Sequence, residues 1–421
     1  MKKFKFHQNE WSDDKKKRLD GFHLVHNENF CLIYEGYLKN GKYHGAGTLF
    51  KNGEYYQGYF ENGSCSGLGT LFTDDLTIEG HFENDELNGT ATVYDHKLER
   101  NIYEGSFVNG KRNGFGVSYY ENGEIQYEGN WKDEQYDGIG KGYYENGQLW
   151  YEGEFKEGNW CGIGSAYYED GKKDRKGQFV DCELNGIGIL FDNDKIFYEG
   201  EFINDIPNGI GVFYCEKKVN EIIDYFKIYS GNVKNGQYEG FGTIFYPDGK
   251  IHYRGGFHEN NFHGYGVGYH QNGHKHYEGD FINDEYHGYG HLYFGCNGNL
   301  KYKGSFYGGK YHDSGILYRC DGTIEYIGNF EDGKFHGYGV FYNGTEIEHE
   351  IQWRYGVPLN EWETCETKLI NFALKYNISS IRELLKENHI REISDKFFEE
   401  KENIANGDYL EIQNVLKELF H

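Results

Sequence analysis

Residues 103–155 read YEGSFVNGKRNGFGVSYYENGEIQYEGNWKDEQYDGIGKGYYENGQLWYEGEF, and one phrase occurs in them three times. Tyr103-Glu104-Gly105-Ser106-Phe107 returns as Tyr127-Glu128-Gly129-Asn130-Trp131 and again as Tyr151-Glu152-Gly153-Glu154-Phe155. Two glycines follow each tyrosine, eleven and thirteen residues on: Gly114 and Gly116, Gly138 and Gly140, Gly162 and Gly164. A fixed period makes each copy one supersecondary unit, so motifs inside it are read first as repeat chemistry and only then as sites.

The same frame reaches back to Tyr34, Tyr56 and Ile78 and forward to Arg175, Tyr198, Tyr229, Tyr253, Tyr277, Tyr302 and Tyr326, about thirteen units mostly 22 to 25 residues apart. Its first copy carries Tyr34, Gly36, Gly45 and Gly47; a late one carries Tyr277, Gly279, Phe281, Gly288 and Gly290. Each unit has two turn zones, such as Asn109-Gly110 and Asn122-Gly123, because Asn-Gly tolerates the positive φ of tight β-turns. Between them run strand formers such as Gly116-Val-Ser-Tyr-Tyr120. The order is strand, turn, strand, turn. Alternation sets Tyr127, Gly129 and Trp131 on one face and Glu128 and Asn130 on the other, which makes the aromatic face the buried one. Periodic glycine inside strands predicts rings of one strand lying over glycines of the next, so that Gly164→Val displaces an aromatic.

The pattern Tyr-x-Gly-x-Phe/Trp followed by Gly-x-Gly resembles the MORN motif (membrane occupation and recognition nexus) over residues 34–347. The segments 119–129 and 143–153 also resemble the MORN variant of bacterial antitoxin-like proteins. The expected fold is an all-β repeat: an elongated, open antiparallel sheet of about thirteen consecutive hairpins, on the order of 120 Å long. Departures from the motif are Ile78 and Ala91 in the third unit, Arg175 in the seventh, Asp313 in the twelfth, and a longer spacer over 216–227, read as a protruding loop. Residues 1–21 form a basic polar tail, 22–33 an N-terminal capping strand, and 348–360 a C-terminal capping strand and linker, since repeat arrays need covered ends. Helical spacing over 361–421, with Ile370, Ala373 and Leu374 on one face and Ile412, Val415, Leu416 and Leu419 on another, predicts a small α-helical region. That region resembles ankyrin helix pairs and is read as a cap or an oligomerisation module.

Composition agrees with a strand ladder. The 421 residues include 61 Gly and 40 Tyr but 3 Pro and 1 Met. Net charge is −25, with +3 in residues 1–20, −23 in 21–360 and −5 in 361–421, so nucleic acid is not an expected partner. The cluster Lys15-Lys16-Lys17-Arg18 offers one weak contact to an anionic membrane. Eight scattered cysteines without a Cys-x-x-Cys pair read as free thiols of a cytoplasmic protein. No apolar run approaches membrane-helix length.

Three features of the sequence could carry chemistry. The Gly-x-Gly sequences precede neither Lys-Ser/Thr nor a helix and are structural. Glu104, Glu128, Glu152, Glu199 and Glu278 form an acidic stripe spaced too widely for a coupled acid–base pair. His263, His274, His276 and His287 lie in a His-rich stretch where solvent-facing rings outweigh a metal site. No catalytic, cofactor-binding or metal-ligating residue is assigned. The MORN resemblance implies a non-catalytic scaffold or protein-binding platform, with phosphoinositide-membrane association as the alternative and a metal-dependent or hydrolytic enzyme as a remote one. Relatives fused to lipid kinases or methyltransferases need more chain than the tail here provides.

Overall fold

The computed structural model describes residues 20–219 and 222–359. The helical region expected over 361–421 and the basic tail up to residue 19 lie outside the described residues. All twenty-nine regular elements among the described residues are β-strands. The described residues divide into two compact units, which part between residues 215 and 216.

In the first unit, Gly21–His26 pairs with Leu32–Lys39, Leu32–Lys39 with Lys42–Lys51, and so on along the sequence, every pair antiparallel. The second unit follows the same rule from Ile222–Lys234 to Glu346–Arg354. The described residues of the spacer at 216–227 are strand rather than loop: Ile206–Val219 and Ile222–Lys234 extend into it from either side. Its β-branched and aromatic residues, Val219, Ile222, Ile223, Tyr225 and Phe226, favour extended backbone, and that propensity outweighs the break in period.

The two turn zones differ. One is a two-residue hairpin with both φ positive, as at Asn109 (51°) and Gly110 (73°), the mirror-image turn whose twist suits paired strands. The other is a wider turn in which Gly123 N donates to Tyr120 O at 3.0 Å and Glu124 N to the Asn122 side chain at 2.9 Å.

Each lead tyrosine lies along its own strand. Tyr151 is fully buried, and its hydroxyl reaches past Gly153 to donate to the Glu154 carbonyl at 3.2 Å. Gly153 pairs with Gly164 across the hairpin, and a Cβ on either would overlap the Tyr151 hydroxyl. The rings therefore lie over glycines, as the spacing requires. The same bond runs from Tyr34 to Tyr37 O at 2.9 Å, from Tyr127 to Asn130 O at 2.9 Å, and from Tyr277 to Asp280 O at 3.1 Å. Rings then build on rings: Tyr127 stacks on Tyr136 at 3.8 Å and meets Trp131 and the next unit's Phe155 edge-on, each at 5.3 Å. Such pairs contribute about 0.5–1.5 kcal/mol each beyond the area they bury.

The first glycine of Gly-x-Gly has a different task. Gly138, at φ +105°, sits in a bulge of three residues opposite Asn130, where an L side chain is strained. Asp313 adopts the same left-handed region at φ 48°, a conformation Asp tolerates, so the twelfth unit keeps its bulge. In the third unit Ile78 replaces the ring, and the Ala91 methyl occupies the space over Gly80. In the seventh unit Leu184, fully buried, comes within 3.2 Å of where a Gly188 Cβ would stand, while Arg175 pairs with Asp205 and lies 3.2 Å from Asp174.

Gly164→Ala is expected to lower stability by about 1–3 kcal/mol through overpacking. Combined with Tyr151→Ile, which copies the Ile78–Ala91 arrangement, the double variant should lose less than the sum of the singles. Denaturant melts of the four proteins test this, and strict additivity would refute the ring-over-glycine account.

Candidate binding face

Alternation sends the residue between the paired glycines to the face opposite the tyrosines. In the first unit Ala46 and Thr90 hold two of these positions, and Leu68, Phe115, Ile139, Ile163, Ile187 and Ile210 hold the others, each of the six between 55% and 70% exposed. Ile139 pairs with Glu154, Ile163 with Gln178 and Ile187 with Glu201, so carboxylates and amides on the intervening strands alternate with the apolar residues along the stripe.

The expected acidic stripe lies on this open face, and hydroxyls and cations fix its members. Tyr214 donates to Glu199 at 2.6 Å and Tyr143 to Glu128 at 3.5 Å; Lys141 lies 3.7 Å from Glu152, and Asn101 donates to Glu104 at 2.8 Å. Burial, with the Glu199 bond added, pushes the Tyr214 hydroxyl up to about 12. In the second unit Glu278 accepts from Lys275 at 2.7 Å and from Tyr265 and Tyr293 at 3.0 Å each, and the Lys275 contact leads in holding its carboxyl below the usual range.

The second unit changes the stripe's character. Phe241, Tyr265, Tyr289 and Tyr338 take the position between the glycines, all more than half exposed. Arg254 lies 5.7 Å from the Phe241 ring centre, and Tyr338 donates to Glu350 at 2.7 Å.

Turn edges interlock and keep the columns in register. Asp205 accepts Leu184 N at 2.7 Å while its own N donates to Leu184 O at 3.0 Å. On the other edge Asn146 donates to Glu169 O at 2.9 Å. Arg112 stands where other units place a stacking ring: its guanidinium lies 4.0 Å from the Trp131 ring centre and pairs with Glu134 at 2.8 Å.

The His-rich stretch separates into pairs. His270 and His276 rings are 4.5 Å apart, and His276 lies 3.3 Å from the Tyr286 hydroxyl. His263 is 5.6 Å from His258, and His287 is 5.1 Å from Tyr307. Burial lowers His252 and His276, the latter with His270 adding to the effect. Both line a small pocket of about 150 Å³ with Tyr253, Tyr269 and Asp284. Among the described residues no three His, Cys, Asp or Glu converge as metal ligands. No helix among them is long and apolar enough to cross a membrane.

The MORN repeat family matches nine segments: residues 34–55, 56–76, 103–125, 151–173, 198–218, 229–251, 277–295, 302–324 and 326–345. The chain is a MORN-repeat protein. The units that begin at Ile78, Tyr127, Arg175 and Tyr253 pair their strands in the same way between the matched segments. A comparison with curated proteins finds no match. A MORN ladder of this kind is consistent with a repeat scaffold that binds a membrane or a protein. Sequence reasoning assigned both glycines of the motif and passed over the residue between them, although its recurrence as Leu, Phe, Ile or Tyr is visible without coordinates.

Burial raises the lead phenols: Tyr103, Tyr198 and Tyr326 are pushed up to about 12. The folded state then holds protons that the unfolded state releases above about pH 10, so stability is intact below pH 10 and falls as pH rises toward 12. Near-ultraviolet phenolate absorbance should therefore appear in two stages, exposed tyrosines first and lead tyrosines together with loss of β-sheet circular dichroism.

Proposed function

We propose that this MORN protein is a non-catalytic platform that holds a segment of a partner protein on the open face of its first unit. The observation that carries the reading is the exposed row of Ile139, Ile163, Ile187 and Ile210, with Glu154 and Glu201 on strands between them. Exposed apolar residues that alternate with carboxylates suit a partner surface that is apolar and basic in the same alternation. Carboxylates beside it, Glu128, Glu152 and Glu199 among them, outnumber the lysines Lys141 and Lys176, so the complementary segment is basic.

Spacing narrows the partner's form. Successive stripe residues stand two strands apart, about 9.6 Å, close to the roughly 10.5 Å rise of seven helical residues. A basic helix with apolar residues every seventh position matches stripe to stripe. The same carboxylates oppose an anionic bilayer, which favours basic surfaces. Catalysis is not proposed: the Gly-x-Gly sequences are occupied by a bulge and a ring, or by Leu184 in the unit led by Arg175, and the aligned glutamates are tied to tyrosines and lysines on an open face rather than poised in a cleft.

The test uses the full chain with two probes. A Lys-flanked heptad-Leu helical peptide should bind in a salt-sensitive manner, and Ile139→Asn with Ile163→Asn should weaken it at least tenfold while the melting temperature stays put. No binding of that peptide would overturn the reading. Vesicles containing phosphoinositide should not float the protein once residues 1–20 are removed; flotation of that shortened chain would transfer the function to lipid.

A further inference from the structure

Two consecutive turns of the second unit bring cysteines together. The turn between Glu285–Tyr293 and Leu300–Tyr307 has one residue more than its counterpart between Gln135–Tyr143 and Leu149–Lys156. The shorter turn closes with Gly147 N on Tyr144 O, three residues back; the longer closes with Gly298 N on Phe294 O, four back. The additional residue swings Cys296 over the next turn, where Cys320 stands in the place that Glu145 and Glu169 take elsewhere. Their sulfurs are 3.3 Å apart, and both residues are exposed.

The surrounding bonds hold this juxtaposition. Asn297 Nδ2 donates to Cys320 O at 2.7 Å and lies 3.4 Å from its sulfur, and Asn299 Nδ2 donates to the same carbonyl at 2.9 Å. The first bond is the one that Asn146 makes to Glu169 O, so the turn edge is fastened as in neighbouring units and the thiols ride on a fixed frame.

We propose that Cys296 and Cys320 are a modification site, a dithiol that closes to an intramolecular disulfide by exchange with a small-molecule disulfide. A bond length of about 2.05 Å needs an approach of roughly 1.3 Å, within reach of side-chain rotation at exposed positions. One cysteine thiolate attacks a sulfur of the incoming disulfide; that S–S bond breaks and the first small thiol leaves, taking a proton. The second cysteine then displaces the remaining small thiol from the mixed disulfide, so two cysteines are oxidised by two electrons and one small disulfide is reduced to two thiols. A zinc site would require further ligands, and no third His, Cys, Asp or Glu joins the pair among the described residues. The other thiols are less suited: Cys65 is buried with its thiol raised well above the usual range, and Cys182 accepts the Trp160 backbone N–H at 3.3 Å. Closure would staple the wide-turn edges of the eleventh and twelfth repeats, leaving the open face untouched.

The experiment incubates the reduced full chain with oxidised glutathione, alkylates the remaining thiols without reduction, and maps peptides by mass spectrometry. The expected product is a Cys296–Cys320 cross-linked peptide with loss of two hydrogens, formed at least tenfold faster than any other cross-link and reversed by dithiothreitol. Cys296→Ser should leave glutathione bound on Cys320, and Cys320→Ser should leave it on Cys296. Stable glutathione adducts on both cysteines of the unsubstituted chain, or faster cross-linking to any other cysteine, would overturn the assignment.

Discussion

A phenol ring laid over a pair of glycines is the contact on which the rest of this protein depends. Among the described residues no second layer covers the apolar side of the sheet, so the burial there comes from its own side chains. Tyr151 solves this locally: it lies along its strand, its hydroxyl finds the Glu154 carbonyl, and its ring fills the space that Gly153 and Gly164 leave empty. The hydroxyl bond is worth about 1 kcal/mol and prevents a buried polar atom from going unpaired. Neighbouring units continue the packing edge-on, Tyr151 to Phe179 at 5.6 Å and Tyr277 to Phe306 at 5.2 Å, which spreads one modest interaction along each unit's ladder.

Because one face is self-sufficient, the other need contribute little to burial. The residue between the glycines points away from the rings, and its substitution from Ile139 to Tyr265 changes surface chemistry without touching Tyr127 or Tyr253. Acidic residues can accumulate there at small cost because tyrosine hydroxyls and lysines are spaced to meet them, as Tyr214 meets Glu199 and Lys141 meets Glu152.

Much of this was legible in the sequence. Period-two alternation places Tyr127 and Trp131 on one side whatever the global geometry, and the glycine spacing demanded a ring nearby. The separate tasks of the two glycines were not legible: a bulge at Gly138 and a ring over Gly140 leave the same letter in the sequence for unrelated reasons. Spacer residues 216–227 were misread because a broken period was taken as a loop, whereas β-branched residues keep extended backbone going without the repeat. The Cys296–Cys320 contact depends on a one-residue turn insertion, and its effect on side-chain direction emerges only when consecutive turns are stacked.

The units that break the motif argue most directly for how the ladder tolerates change. Losing the ring at Ile78 is answered by a methyl at Ala91; losing it at Arg175 is answered by Leu184, with Asp205 taking the charge; and Arg112, held by Glu134, replaces a stacking ring with a guanidinium of similar breadth. Each remedy comes from the same hairpin or the tight turn of the next unit, as expected where stability is summed over nearest neighbours. Ile187, in the unit led by Arg175, still stands 69% exposed in the stripe. A repair made on the buried face therefore does not propagate to the open one, and selection on a binding surface can act on the residue between the glycines while the core changes beneath it.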